Sequence, residues 1–194
     1  MKKFTTLHRI IHWTIATAML VLFATGFLRM FWMSKKTITT AVNSELEAQQ
    51  MQLPQESVLA IAKSIINPMF EWHVNFAYVL VAAYIIRLIY MFAKGIRFPN
   101  PFSKNTNGKD RLQGTVYLIF YVLLIVQILT GFALKFELAG EAALERAEEV
   151  HKFAVYWLPT FVVLHFMGII FGELTNKKGI VSKMIGGEQI NLPE

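Results

Sequence analysis

The stretch HKFAVYWLPTFVVLHFMGIIFG, residues 151–172, decides how the chain is read. At about 1.5 Å per helical residue it is long enough to cross a hydrocarbon core of about 30 Å. Yet it holds two histidines, His151 and His165, fourteen residues apart. A titratable ring in lipid is costly, and such residues mark pairs, pathways or ligands. Fourteen helical residues rise about 21 Å and leave both side chains within about 40° of one face. One helix therefore offers one ring near its end and a second about two-thirds of the way across.

Three more apolar runs lie upstream, at roughly Ile10 to Leu28, Val74 to Ala93 and Thr115 to Leu134. Of 194 residues 55% are hydrophobic and 16% charged, where soluble domains carry about a quarter charged residues. Backbone polar groups in lipid must be satisfied within the segment, and these runs are too long for barrel strands. The expectation is an all-α, four-helix transmembrane bundle forming one domain over residues 1–194. Its spans fall at about 8–32, 70–93, 113–135 and 149–173, with a long connection over 34–67. The N-terminus has the basic flank and apolar run of a signal peptide. The run is too long, however, contains His12 and lacks a small-x-small site before Arg29, so it reads as a retained anchor. With no cysteine, thiolate metal sites, Fe–S clusters and covalently attached haem are excluded in this chain.

The net charge of +6 is distributed by side. Lys2, Lys3 and Arg9 lie at the N-terminus; Lys94, Arg97, Lys104, Lys109 and Arg111 lie between the second and third helices; Lys177, Lys178 and Lys183 follow the fourth. The positive-inside rule makes that side cytoplasmic, with both termini inside. The other two connections hold Glu45, Glu47, Glu56, Glu71, Glu137, Glu141, Glu145, Glu148 and Glu149. The basic total thus reflects topology and gives no reason to invoke nucleic acid.

The first outer connection suggests a short amphipathic helix near Ser57 to Ile66, with Ser57 a weak cap. It is long enough to be a docking surface, and an interfacial helix explains it equally well. KFELAGEAALERAEEV suggests an acidic helix running into the fourth span, and GIRFPNPFSKNTNGKDR is a loop. Pro159 should kink the fourth helix. Two spans share a local echo, ATGF at Ala24 to Phe27 and LTGF at Leu129 to Phe132, which helix packing and a cofactor explain equally well.

Depth sorts the histidines. His12 lies about one turn into the first hydrophobic run from the cytoplasmic end, and His165 lies two turns from the cytoplasmic end of the fourth. His73 and His151 open the second and fourth spans at the outer surface. Two matched pairs, His12/His165 and His73/His151, emerge. A single such histidine is as well explained by an interhelical hydrogen bond; four at two depths are not. A zinc site needs three or four ligands converging on one ion, and a proton relay would add carboxylates within the spans. Two nitrogen ligands at each level suit a haem iron held from both sides. His8, one turn below His12, is placed to meet a quinone carbonyl or a haem propionate, or simply water. Arg9 and Arg87 at inner depth, and Arg29 and Lys152 at outer depth, are placed to neutralise propionates, or to snorkel.

RIIHW at Arg9 to Trp13, EWHVNFAYVLVAAYIIRLIYMF at Glu71 to Phe92, HKFAVYWLPTFVVLH at His151 to His165 and GIVSKMIGG at Gly179 to Gly187 resemble the prokaryotic dihaem cytochrome b561 superfamily. The resemblance is closest to the b-type cytochrome subunits of nickel–iron hydrogenase and formate dehydrogenase. It implies four helices, two b-type haems ligated by His12, His73, His151 and His165, and a quinone site. The implied function is electron transfer between an outer-face redox protein (an Fe–S subunit or a c-type cytochrome) and the quinone pool, within a quinone-linked oxidoreductase complex of a bacterial inner membrane. The loop between the second and third helices is shorter than in many hydrogenase cytochromes. Stand-alone members of the family act as superoxide:quinone or quinol oxidoreductases. An acidic outer face slows encounter with an anion such as superoxide and suits a basic partner. A haem-free, histidine-lined transporter is the remaining alternative.

Overall fold

The computed structural model describes residues 4–95, 99–103, 107–175 and 179–186. These residues form seven helices and no strand: α1 (Thr6–Phe31), α2 (Lys35–Ala48), α3 (Gln55–Lys94), α4 (Gly108–Phe136), α5 (Glu141–Lys152), α6 (Ala154–Leu174) and α7 (Ile180–Ile185). Four helical stretches are long and apolar enough to cross a membrane: Thr6–Phe31, Gln55–Lys94, Gly108–Phe136 and Glu141–Leu174. Their apolar side chains are largely exposed, as with Leu20, Ile89, Leu129 and Met167, which suits a protein whose solvent is lipid. The chain is an all-α, multi-pass membrane protein, as a four-helix transmembrane bundle requires.

Backbone contacts group the chain into one unit of Ala16–Leu80 and another of Met1–Ile15 with Val81–Glu194. In the first, α1 ends at Phe31 and Ser34 caps α2, its hydroxyl accepting from the Thr37 N–H at 3.1 Å. The long connection between the first two spans is thus mostly helix. The segment near Ser57 is not a separate short helix: it is the first part of α3, which runs unbroken for 40 residues through Pro68. At about 1.5 Å per residue α3 is about 60 Å long, twice a hydrocarbon core, so its first turns extend beyond the span. Val58, Ala62 and Ile66, at i, i+4 and i+8, are buried along this extension and account for the amphipathic signal. Ser57 lies within the first turn, its N–H bonded to the Pro54 carbonyl at 2.9 Å, and is not the cap.

In the second unit Asn107 caps α4, its Oδ1 accepting from the Asp110 N–H at 2.8 Å while its amide donates to the Asp110 carboxylate at 3.0 Å. The loop before α4 lies hard against this helix at Gly114, where an added Cβ would fall 2.2 Å from the Pro99 carbonyl oxygen. The fourth span is α5 and α6 joined at one residue, Phe153 (φ −60°, ψ −16°), so helix runs on both sides of the break between His151 and His165. Pro159 lies inside α6, which stays helical through it.

The six-residue α7 is too short to hold itself together, and its ends show what does. At its start the Glu173 carboxylate accepts from the N–H groups of Gly179 at 2.6 Å and Ile180 at 2.9 Å. At its end Arg9 Nη1 donates to the Ile185 carbonyl at 3.0 Å and Trp13 Nε1 to the Met184 carbonyl at 3.4 Å. The arginine and tryptophan of R-x-x-H-W therefore tie α1 to the GIVSKMIGG segment, with His12 between them. Glu173→Ala is expected to speed hydrogen exchange at the α7 amides several-fold while leaving the amides of α4 protected. Unchanged exchange in α7 would show that the carboxylate does not hold it.

Candidate haem-binding site

His12 on α1 and His165 on α6 come together, their ring centres 6.1 Å apart and their planes at 37°. An imidazole nitrogen binds a metal at about 2 Å, and its ring centre lies about 1 Å further back, so two rings sharing one metal have centres about 6 Å apart. The observed spacing fits a single iron between them. Aromatic packing holds His165 in place: Phe161, one turn earlier, stacks on it at 5.7 Å and 22°, and Phe120 of α4 stacks on Phe161 at 4.1 Å. Trp13 meets His12 edge-on at 5.6 Å.

His73 and His151 are each seated on a neighbouring helix, by one and the same device. The His73 Nδ1 lies 2.8 Å from the Thr25 hydroxyl, and a Cβ added to Gly26 would sit 3.8 Å from its Cε1. The His151 Nδ1 lies 3.1 Å from the Thr130 hydroxyl, and a Cβ added to Gly131 would sit 3.1 Å from its Cε1. The two Thr-Gly steps are those of the ATGF and LTGF echo. The sequence displays the echo but not its use as a seat for histidines, because each contact joins residues far apart in the chain.

The basic candidates have partners as well. Arg87 Nη1 donates to His8 Nε2 at 3.3 Å, which leaves the proton of His8 on Nδ1. Phe4 stacks on His8 at 5.0 Å and Tyr90 meets it edge-on at 5.9 Å. The Tyr90 hydroxyl is in turn 2.7 Å from that of Thr5. Arg9, besides its bond to α7, keeps a buried Nε with no hydrogen-bond partner among the described residues. Lys152 pairs with Glu148 at 2.7 Å, an exposed i,i+4 bridge worth about 0.3–0.5 kcal/mol. Arg29 lies over the Phe70 ring at 5.3 Å. Among the described residues no three His, Asp or Glu side chains converge as a metal cage would need.

Four membrane-length helices, three of them carrying half-buried imidazoles and two of those rings spaced to share a metal, define a class: a multi-pass membrane protein suited to holding a haem between helices. The chain belongs to the prokaryotic cytochrome b561 family, whose model matches residues 3–187. It is thus a membrane cytochrome of the b type, a family that binds b-type haem. Comparison with curated proteins and with solved structures returned no match.

Proposed function

We propose that the chain is a dihaem transmembrane electron-transfer subunit that passes electrons between a redox protein at the outer face and the membrane quinone pool. The observation that carries this reading is the 6.1 Å spacing of His12 and His165 in a membrane cytochrome b. His12 and His165 would hold the inner haem, and His73 and His151 the outer one, with both termini in the cytoplasm. When bound, the haems supply one-electron redox centres at two depths, and the chain's residues fix their ligation and surroundings. The unpartnered Nε of Arg9 has capacity for a propionate of the inner haem, and Lys152, next to His151 in sequence, would meet one of the outer haem.

The quinone would be met at the His8 end of α1. Accepting from Arg87 on Nε2, His8 keeps an Nδ1–H that can donate to a quinone carbonyl. His8→Leu is expected to leave both haems in place and to lower quinone-linked turnover about tenfold or more, since leaving a buried acceptor unmet costs about 1–3 kcal/mol. Full turnover in His8→Leu would place the quinone elsewhere.

The outer partner would be basic and would dock on the acidic α5; an Fe–S subunit of a hydrogenase or dehydrogenase, or a c-type cytochrome, has the required chemistry. Turnover of the purified chain measures this directly. Dependence on an added electron-donating protein supports the subunit reading, whereas oxidation of superoxide or quinol by the chain alone would make it a self-contained oxidoreductase.

A further inference from the structure

We propose that Thr25 and Thr130 are positioning residues for the two outer haem ligands, each fixing its histidine in the tautomer that leaves Nε2 for the iron. The inference rests on the assignment of His73 and His151 as ligands and adds a residue to each.

A threonine hydroxyl has one proton. In Thr25 that proton goes to the helix's own backbone, with the oxygen 2.7 Å from the Val21 carbonyl and 3.1 Å from that of Leu22. In Thr130 the same holds, at 2.8 Å to the Val126 carbonyl and 3.2 Å to that of Gln127. With the proton spent, the oxygen can only accept on its other side, where His73 Nδ1 stands at 2.8 Å and His151 Nδ1 at 3.1 Å. Each ring must then be protonated on Nδ1, and a neutral imidazole with Nδ1–H carries its lone pair on Nε2. The glycine after each threonine lets the ring lie against the helix. The fit is tighter at Gly131, where a methyl group would force the ring to give.

A partner on the distal nitrogen also tunes the metal. Accepting from Nδ1–H makes the imidazole a stronger donor, which favours the oxidised iron and lowers the potential. The hydroxyl adds no cost to the span, because its own helix already satisfies its proton. The two seats sit on the first helices of successive hairpins, α1 before α3 and α4 before α5, so both ligands of one haem receive the same treatment.

The test compares Thr25→Val, Thr130→Val and the two serine variants, Thr25→Ser and Thr130→Ser. In haem-free protein, ¹⁵N-histidine NMR is expected to show His73 and His151 as Nδ1–H tautomers. Thr25→Val should perturb only His73, and Thr130→Val only His151, which keeps its second contact, to the Gln127 backbone carbonyl. In the loaded protein each valine variant should raise the midpoint potential of the same haem, by about tenfold in the reduced-to-oxidised ratio, or about 59 mV for one electron. The other haem should not move, and serine should restore the wild-type value. Gly131→Ala should disturb that same haem, and Gly26→Ala should not.

Nε2–H tautomers in the wild type, or potentials that ignore both valine substitutions, would overturn the inference while leaving a two-haem protein intact. A wild-type chain with no haem, or one, would instead remove the reading on which it rests, and the tautomer measurement would still report on the seats. Should a valine variant fail to fold, the other seat and the serine pair still decide the matter.

Discussion

His165→Ala is expected to remove one of two haems and leave the other, and His12→Ala is expected to remove the same one. The two rings belong to elements far apart in the chain, and their centres are 6.1 Å apart, a spacing that fits one shared metal. Neither ring has structural work large enough to explain haem loss through unfolding. His165 is half-buried and packs on Phe161, whose stack with Phe120 at 4.1 Å remains when the imidazole is gone. His165→Met separates ligation from packing: a thioether can take the axial position, and a Met/His pair raises the potential. The expected series is therefore two haems in the wild type, one in the alanine variants, and two with one raised potential in His165→Met. Two unaltered haems in both alanine variants would break the pairing.

His73→Ala and His151→Ala are the second large effect, and each is expected to remove the haem that His165→Ala leaves behind. Both rings are anchored through Nδ1 to a threonine hydroxyl, at 2.8 Å and 3.1 Å, and lie over the following glycine. Truncation empties the seat without unravelling either helix: Thr25 and Thr130 keep their bonds to Val21 and Val126. The spectrum of the surviving haem decides. It should match across the two variants and should differ from the survivor in His165→Ala. If His73→Ala and His151→Ala left different survivors, the two histidines would not serve one iron.

The four spans are legible in the sequence because lipid demands long, self-satisfied apolar helices, and nothing else in the chain imitates them. The extent of α3 is not. Outside the hydrocarbon the signal changes from uniform apolarity to the Val58, Ala62, Ile66 stripe, and Pro68 stands at the change, so one helix reads as two. Counting along each run suggests which histidines pair, and the structure brings His12 and His165 together. The supports of His73 and His151 cannot be found that way, since Thr25 to His73 and Thr130 to His151 are contacts between helices. The echo holds the information, but without a partner in view a Thr-Gly step is also ordinary packing. R-x-x-H-W shows the same limit: Arg9 and Trp13 flank the histidine in sequence, and their bonds to Ile185 and Met184 lie at the far end of the chain.

The most direct measurement is the number of haems per polypeptide in the purified chain, taken with a reduced-minus-oxidised difference spectrum. The expected result is two low-spin b haems with distinct potentials, one for each histidine pair. A folded but colourless chain would contradict the electron-transfer account and leave its membrane histidines to a transporter.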